Sequence, residues 1–165
     1  VGSRNMFNYY LLKALGNASS PVLLKRGMYA TLEEWLLAAE YVMINGNEAV
    51  ILCERGLRTY DPAVRNQLDL SAIPLLQEMT HLPIWVDPSQ GTGKRSLIDP
   101  MSQAAVAAGA DGLMIEVHPD PDKALSDANQ TIDPQGLRSL LQSLEPLSAV
   151  KGKHMSIHAE RPITM

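Results

Sequence analysis

Ala49-Val50-Ile51-Leu52-Cys53-Glu54-Arg55-Gly56 is an apolar run that ends abruptly in charge and glycine. Its apolar residues leave no polar face, so the run reads as a strand covered on both sides rather than one half-exposed to water. Three other stretches share this form. Pro21-Val22-Leu23-Leu24 stops at Lys25-Arg26-Gly27, Ile84-Trp85-Val86 stops at Asp87, and Gly112-Leu113-Met114-Ile115-Glu116-Val117-His118 runs into proline. Strands covered on both faces belong to parallel sheets joined by helical crossovers.

Helical patterns fill the gaps. Thr31 and Glu34 form a capping-box pair, and Leu32, Trp35, Leu36 and Ala39 follow at helical spacing to about Ile44, where Asn45-Gly46-Asn47 stops the helix. Leu70 to Met79, Asp99 to Ala108 and Pro134 to Leu144 read as further helices. Asp87 to Gly93 reads as a loop, and Asn5 to Leu15 as a helix preceding the first strand, with Gly2-Ser3-Arg4 ending a strand that lies mostly off the start of the chain. Each repeat takes roughly 30 residues, the length of one βαβ step. A complete (β/α)8 barrel takes about 250. The expectation is α/β: about four parallel β/α units, which is half of a TIM barrel or a small open doubly wound sheet. Repetition does not separate the two. Residues 1–146 form the repeating part, and 147–165 are expected to be an irregular tail.

Composition narrows the function. At 165 residues with 45% hydrophobic and 5% aromatic content, the chain is globular with an aliphatic core. A formal charge of −4 gives no basic patch for nucleic acid. No apolar run approaches the roughly 18 residues that span a bilayer, and Val1 to Asn5 do not begin a signal peptide. The lone Cys53 excludes an internal disulfide, which suits the cytoplasm. It sits at a buried strand end and reads as core rather than nucleophile.

Arg4, Lys25, Arg55, Asp87 and Glu116 each fall at or just past the C-terminal end of an expected strand. In parallel α/β folds that rim is where sites are built. Arg4, Lys25 and Arg55 can converge on a phosphate or carboxylate, Arg by bidentate hydrogen bonds and Lys as a point charge. Each taken alone reads as a solvated loop cation; it is the three at equivalent positions of successive units that point to a shared anion site. Glu116, on an otherwise apolar strand, needs a partner. With His118 and Asp127 it suits a divalent cation; otherwise it pairs with a barrel lysine or arginine, and His118 is a surface residue. Gly91-Thr92-Gly93-Lys94-Arg95 is not a P-loop, because Pro88 stands where the first glycine belongs and Arg95 where Ser or Thr belongs.

Five segments together resemble one family. Gly2-Ser3-Arg4-Asn5-Met6, Leu23 to Met28, Ile51 to Thr59, Asp87 to Arg95, and Ile115 to Pro119 with Ala124 to Asp127 are similar, in order and spacing, to the motifs of microbial type I (beta subgroup) 3-deoxy-7-phosphoheptulonate synthases. The resemblance covers about Val1 to Leu144 and implies the C-terminal half of a (β/α)8 barrel. It implies condensation of phosphoenolpyruvate with erythrose 4-phosphate, with Arg4, Lys25 and Arg55 binding phosphoenolpyruvate and Lys25 assisting proton transfer. It implies a divalent metal (Mn, Fe or Zn) on Glu116, Asp127 and position 90. There the family has histidine and this chain has Gln90, a neutral amide that weakens metal binding or shifts it toward Mg or Mn. The family's cysteine ligand and its sugar-phosphate loop belong to an N-terminal half outside these residues. A homo-oligomer or completion by an N-terminal half-barrel is therefore expected, with the chain a fragment of a longer product. A catalytically inactive half-barrel acting as a structural or regulatory partner, and the sister 3-deoxy-octulosonate 8-phosphate synthase, are the alternatives.

Overall fold

The computed structural model describes residues 1–155. Four strands form one sheet: β1 (Val22–Lys25), β2 (Val50–Glu54), β3 (Ile84–Val86) and β4 (Gly112–Leu113). Their order in the sheet is their order in the chain, and every pair is parallel. A doubly wound sheet reverses its order at a switch point; this one does not, so the open choice resolves to the barrel type. Val1 continues the series. Its ammonium donates to Leu23 O and its carbonyl accepts from Lys25 N, the contacts of a neighbouring strand on the outer edge of β1.

The helices are α1 (Tyr9–Gly16), α2 (Leu32–Met43), α3 (Ala72–Met79), α4 (Pro88–Thr92), α5 (Arg95–Ala108) and α6 (Pro134–Val150). The capping box of α2 is present, Thr31 accepting from Glu34 N and Glu34 accepting from Thr31 N. Val22, Leu24, Val50, Leu52, Ile84 and Val86 bury against helix residues such as Trp35, Ala39, Ile73 and Leu76. The alternate residues Leu23, Ile51 and Trp85 are only half-buried. Successive side chains of a strand point to opposite faces, so the even-numbered set is the core and the odd-numbered set lines the concave face.

Alternation continues past the strand ends and sorts the charges. Arg26 and Glu54 follow the core set. The Arg26 guanidinium donates from Nη1 to Glu54 Oε2 at 2.9 Å and to Asp69 Oδ2 at 2.9 Å, lies 5.8 Å from the Trp35 ring centroid, and donates from Nε to Ala30 O. Glu54 is wholly buried and also accepts from Gly56 N. Burial pushes its carboxyl up, while Arg26 and the Gly56 N–H pull it back. Gly56 has φ +88°, and a Cβ there would meet Asn66 Cβ at 2.7 Å, so only glycine turns the chain at this point.

Several elements differ from the sequence expectation. Asp87 to Gly93 is not a loop. Asp87 caps α4 by accepting from Gln90 N, Pro88 occupies the first turn, and Gly93 closes it in the left-handed region. The helix expected from Asn5 is a 3-10 turn over Ser3–Asn5 followed by α1, which Asn8 caps at Leu11 N. Between them Met6 is wholly buried, with its sulfur accepting from Gly27 N. The helix expected from Asp99 starts at Arg95 and carries Pro100 inside it.

The strand expected through His118 ends at Leu113, because the segment changes partner. Met114 N still reaches Val86 O, but Glu116 N turns to Ser89 Oγ, and Val117 bridges to Ile132. Helix α6 runs through Pro146 to Val150, past the expected boundary at 146; of the rest of the expected tail, 151–155 carry no helix or strand and 156–165 lie outside the described residues. Among the described residues no helix is long and apolar enough to cross a membrane.

Two measurements check this packing. Glu54→Ala leaves the buried Arg26 guanidinium with Asp69 as its one carboxylate and the Gly56 N–H bare, and it costs about 3 kcal/mol, read as a lower urea midpoint. Cys53 is wholly buried and its thiol is pushed up to about 12, first by burial and then by Asp87. The native thiol therefore stays silent to Ellman's reagent at pH 8 and reacts once urea unfolds the chain. Because the unfolded thiol ionises first, its contribution to stability falls as pH rises from about 9 toward 12.

Candidate functional site

Odd-numbered residues at the C-terminal rim converge on one opening. Lys25 ends β1, Arg55 follows β2, and Asp87 follows β3. Arg4 enters from the turn after Val1. A cavity of about 1190 Å³ is lined by Arg4, Lys25, Arg55, Gln90 and Asp127, so five of the six residues that the resemblance implies for substrate and metal share it. The sixth, Glu116, is joined to the lining residue Arg65 through Gln130.

Arg55 is the most constrained of the cations. It is only 3% exposed, and among the described residues it forms no ion pair. Its Nη1 makes one long contact, 3.4 Å, to the adjacent Gly56 O, and its buried Nε has no acceptor. Burial, and then the neighbouring Arg65, pull its proton affinity down. A buried guanidinium without a carboxylate is expensive. It is the arrangement expected where an anion from outside supplies the partner.

Lys25 is held differently. Its ammonium donates to Asp87 Oδ2 at 2.6 Å and to Gln90 Oε1 at 2.9 Å. Asp87 is 1% exposed, and its other oxygen accepts from Gln90 N at 2.8 Å. Lys25, Asp87 and Gln90 thus form a closed ring. Asn66 fixes the same turn by donating from Nδ2 to Gln90 O.

Two carboxylates stand on the far side. Glu116 Oε1 accepts from Gln130 Nε2 at 2.7 Å, and Asp127 Oδ1 accepts from Arg65 Nη1 at 2.9 Å. The same Arg65 nitrogen donates to Gln130 Oε1, so the almost wholly buried Gln130 links both acids. Burial pushes the Glu116 carboxyl up against the pull of Gln130, and the charges of Asp127 and Asp87 push it further. Asp127 has φ +54°, the single non-glycine residue with positive φ among those described. Such local strain is characteristic of functional positions, and a short Asp side chain tolerates it. Arg95 staples the loop that carries Asp127, donating to Thr131 O, Ala128 O and Asp122.

The expected Glu, Asp and His cluster does not assemble. His118 Nδ1 is engaged with the Asp120 backbone, a turn contact rather than a place in the site. Among the described residues no three of His, Cys, Asp and Glu come together as a metal group. What these residues bring is a pair of hard carboxylate donors. The Gln90 oxygen is turned to Lys25.

Sequence reasoning missed Arg58 and Arg65, which also line the cavity, and Gln130. The two arginines lie in the polar loop after β2. That loop has no periodicity; it is shaped by the bridge between Leu57 and Gln67 and by the Arg65 N to Thr92 O bond.

Comparison with known proteins supplies the context. A family model described as the DAHP synthetase I family matches residues 1–150. A phospho-2-dehydro-3-deoxyheptonate aldolase of Thermotoga maritima is 49% identical over 152 residues, 92% of this chain and 45% of that protein. A 2-dehydro-3-deoxyphosphooctonate aldolase of Stenotrophomonas maltophilia is 32% identical, over 87% of this chain and 55% of that protein. A solved truncated form of 3-deoxy-D-arabino-heptulosonate 7-phosphate synthase from Thermotoga maritima superposes with a TM-score of 0.92 at 48% identity, covering 94% of this chain and 60% of that one. The chain spans about half the length of the curated relatives it matches. With this match over nearly its whole length, and with the strand order and rim described above, the chain belongs to the DAHP synthetase I family.

Proposed function

We propose that this chain forms the phosphoenolpyruvate-binding half of a synthase that condenses phosphoenolpyruvate with erythrose 4-phosphate, yielding 3-deoxy-arabino-heptulosonate 7-phosphate and phosphate. The observation that carries the reading is Arg55, a buried guanidinium with an unpaired Nε in a cavity that also holds Arg4 and Lys25. Arg55 and Arg4 grip the anionic groups of phosphoenolpyruvate with directed hydrogen bonds. Lys25 donates two of its three N–H bonds within the protein, which leaves the third for the substrate and for proton transfer at the reacting carbons. Asp87 and Gln90 hold that ammonium in place.

Glu116 and Asp127 would hold a divalent cation, which when bound supplies Lewis-acid polarisation of an aldehyde or of water. Two carboxylates without an imidazole make this half of the donor set harder than the family's, which shifts the preference toward Mn, with the family's cysteine ligand assigned to the other half. The sugar-phosphate site and the remaining strands are assigned to a further half-barrel. Such a half would complete the strand that ends at Val1 beside β1, pair with the edge of β4, and cover the concave face bearing Leu23, Ile51 and Trp85. Cys53, a free buried thiol, suits a reducing cytoplasmic setting. The 49% identity to the heptonate enzyme, against 32% to the octonate enzyme, supports erythrose 4-phosphate over arabinose 5-phosphate as the acceptor.

Phosphate release, measured on the full-length product with each sugar phosphate in turn, tests the assignment. Turnover with erythrose 4-phosphate is expected; turnover with arabinose 5-phosphate alone assigns the chain to the sister enzyme, and release with neither favours a structural partner. Arg55→Ala lowers kcat/KM for phosphoenolpyruvate by roughly a hundredfold, the loss of one charge-assisted contact pair. The thermal midpoint of that variant does not fall, because the native guanidinium has no carboxylate to lose and gives up only one long contact to Gly56 O.

A further inference from the structure

Gln90 occupies the position where the family resemblance calls for a metal-binding histidine, yet its geometry serves a different purpose. Its amide oxygen accepts from Lys25 Nζ at 2.9 Å, and its backbone N–H donates to Asp87 Oδ1 at 2.8 Å. Asp87 Oδ2 closes the ring on the same ammonium at 2.6 Å. The backbone of Gln90 is fixed twice more. It lies inside α4, whose N-cap is Asp87 itself, and its carbonyl accepts from Asn66 Nδ2 at 3.1 Å. Neither carboxylate on the far side turns toward it: Glu116 is taken by Gln130 and Asp127 by Arg65.

A lysine side chain has four rotatable bonds and a strongly hydrated head. A single carboxylate leaves it free to swing about one contact. Two acceptors on different bonds fix its direction and leave one N–H free. That remaining donor belongs to a residue lining the same cavity as Arg55.

We propose that Gln90 is a positioning residue for Lys25: its amide oxygen, with Asp87, aims the ammonium at phosphoenolpyruvate, and position 90 ligates no metal in this chain. The inference rests on the phosphoenolpyruvate reading given above. It makes the substitution a change of task at this position rather than a damaged ligand.

The test uses the full-length protein, with phosphoenolpyruvate and Mn²⁺ as separate probes, by calorimetry and by electron paramagnetic resonance. Gln90→Met keeps the length of the side chain and removes its acceptor; it weakens phosphoenolpyruvate binding roughly tenfold, the value of one hydrogen bond to a charged group. Gln90→Glu keeps an acceptor oxygen and stays within about threefold of the natural protein. In a Lys25→Met background the Gln90→Met penalty disappears, since a positioning residue has nothing left to position. Mn²⁺ affinity is the same with Gln90 and with Met at position 90. A penalty that persists in full without Lys25, or a loss of Mn²⁺ affinity in Gln90→Met, overturns the proposal while leaving the phosphoenolpyruvate reading intact. A natural protein that binds no phosphoenolpyruvate overturns both.

Discussion

The ion pair between Arg26 and Glu54 is the contact on which the geometry of the rim depends. It ties the end of β1 to the end of β2 on the helix-facing side of the sheet, with Asp69 and the Trp35 ring closing around it. A buried pair of this kind contributes little net stability compared with apolar residues of similar volume. Its consequence lies in direction. With residues 26 and 54 drawn to the outer face, pleating turns Lys25 and Arg55 to the inner one. The outer pair is satisfied within the protein. The inner cations are one residue away, and Arg55 is left without a carboxylate. The same two dipeptides, Lys25-Arg26 and Glu54-Arg55, thus divide fold from site.

That division also explains what could be read from the residues. The strand Ile84–Val86 and the capping box of α2 depend on neighbours within four residues, and both stand as the sequence implied. The rim positions of Lys25 and Arg55 were legible because they follow from strand ends. Which of two adjacent cations faces the core was not, since that depends on Glu54 and Asp69 across the sheet. The reach of the last strand was misread for a similar reason. Residues 112–118 are uniformly apolar apart from Glu116 and His118, but Val117 and His118 pair with Ile132 rather than with β3. Asp87-Pro88 and Gly93 are an N-cap, a first-turn proline and a closing glycine, a helix signal inside a segment whose polar and glycine content reads as a loop. Arg65 carried no signal: its place beside Asp127 and Gln130 is set by the loop's own bridge and by Thr92 O.

Charge around the rim is graded rather than mixed. Arg4, Lys25, Arg55 and Arg58 come from the β1 and β2 side, and Glu116 and Asp127 from the segments after β4. Asp87 lies between them; it takes the Lys25 proton contact and contributes to raising the Glu116 carboxyl. An anion entering this opening is drawn to the first side, with any electropositive or metal-bound partner on the second. Arg65 moderates the acidic end, because its guanidinium meets Asp127 and, through Gln130, is joined to Glu116.

The gradient gives position 90 its significance. Gln90 lies on α4, between the two sides, and its side chain has one strong acceptor to offer. Directed at the acids, that oxygen would add a third weak donor to a cation. Directed at Lys25, it completes a ring whose other members are an almost wholly buried carboxylate and a capped helix turn. The second arrangement is the one the chain adopts. It fits a neutral amide better than the first, because a hydrogen bond from an ammonium is strong at either charge state of the neighbouring acids, whereas an amide oxygen competes poorly for a divalent ion. The direction of the Lys25 ammonium is therefore set by Asp87 and Gln90, with no contact to Glu116 or Asp127.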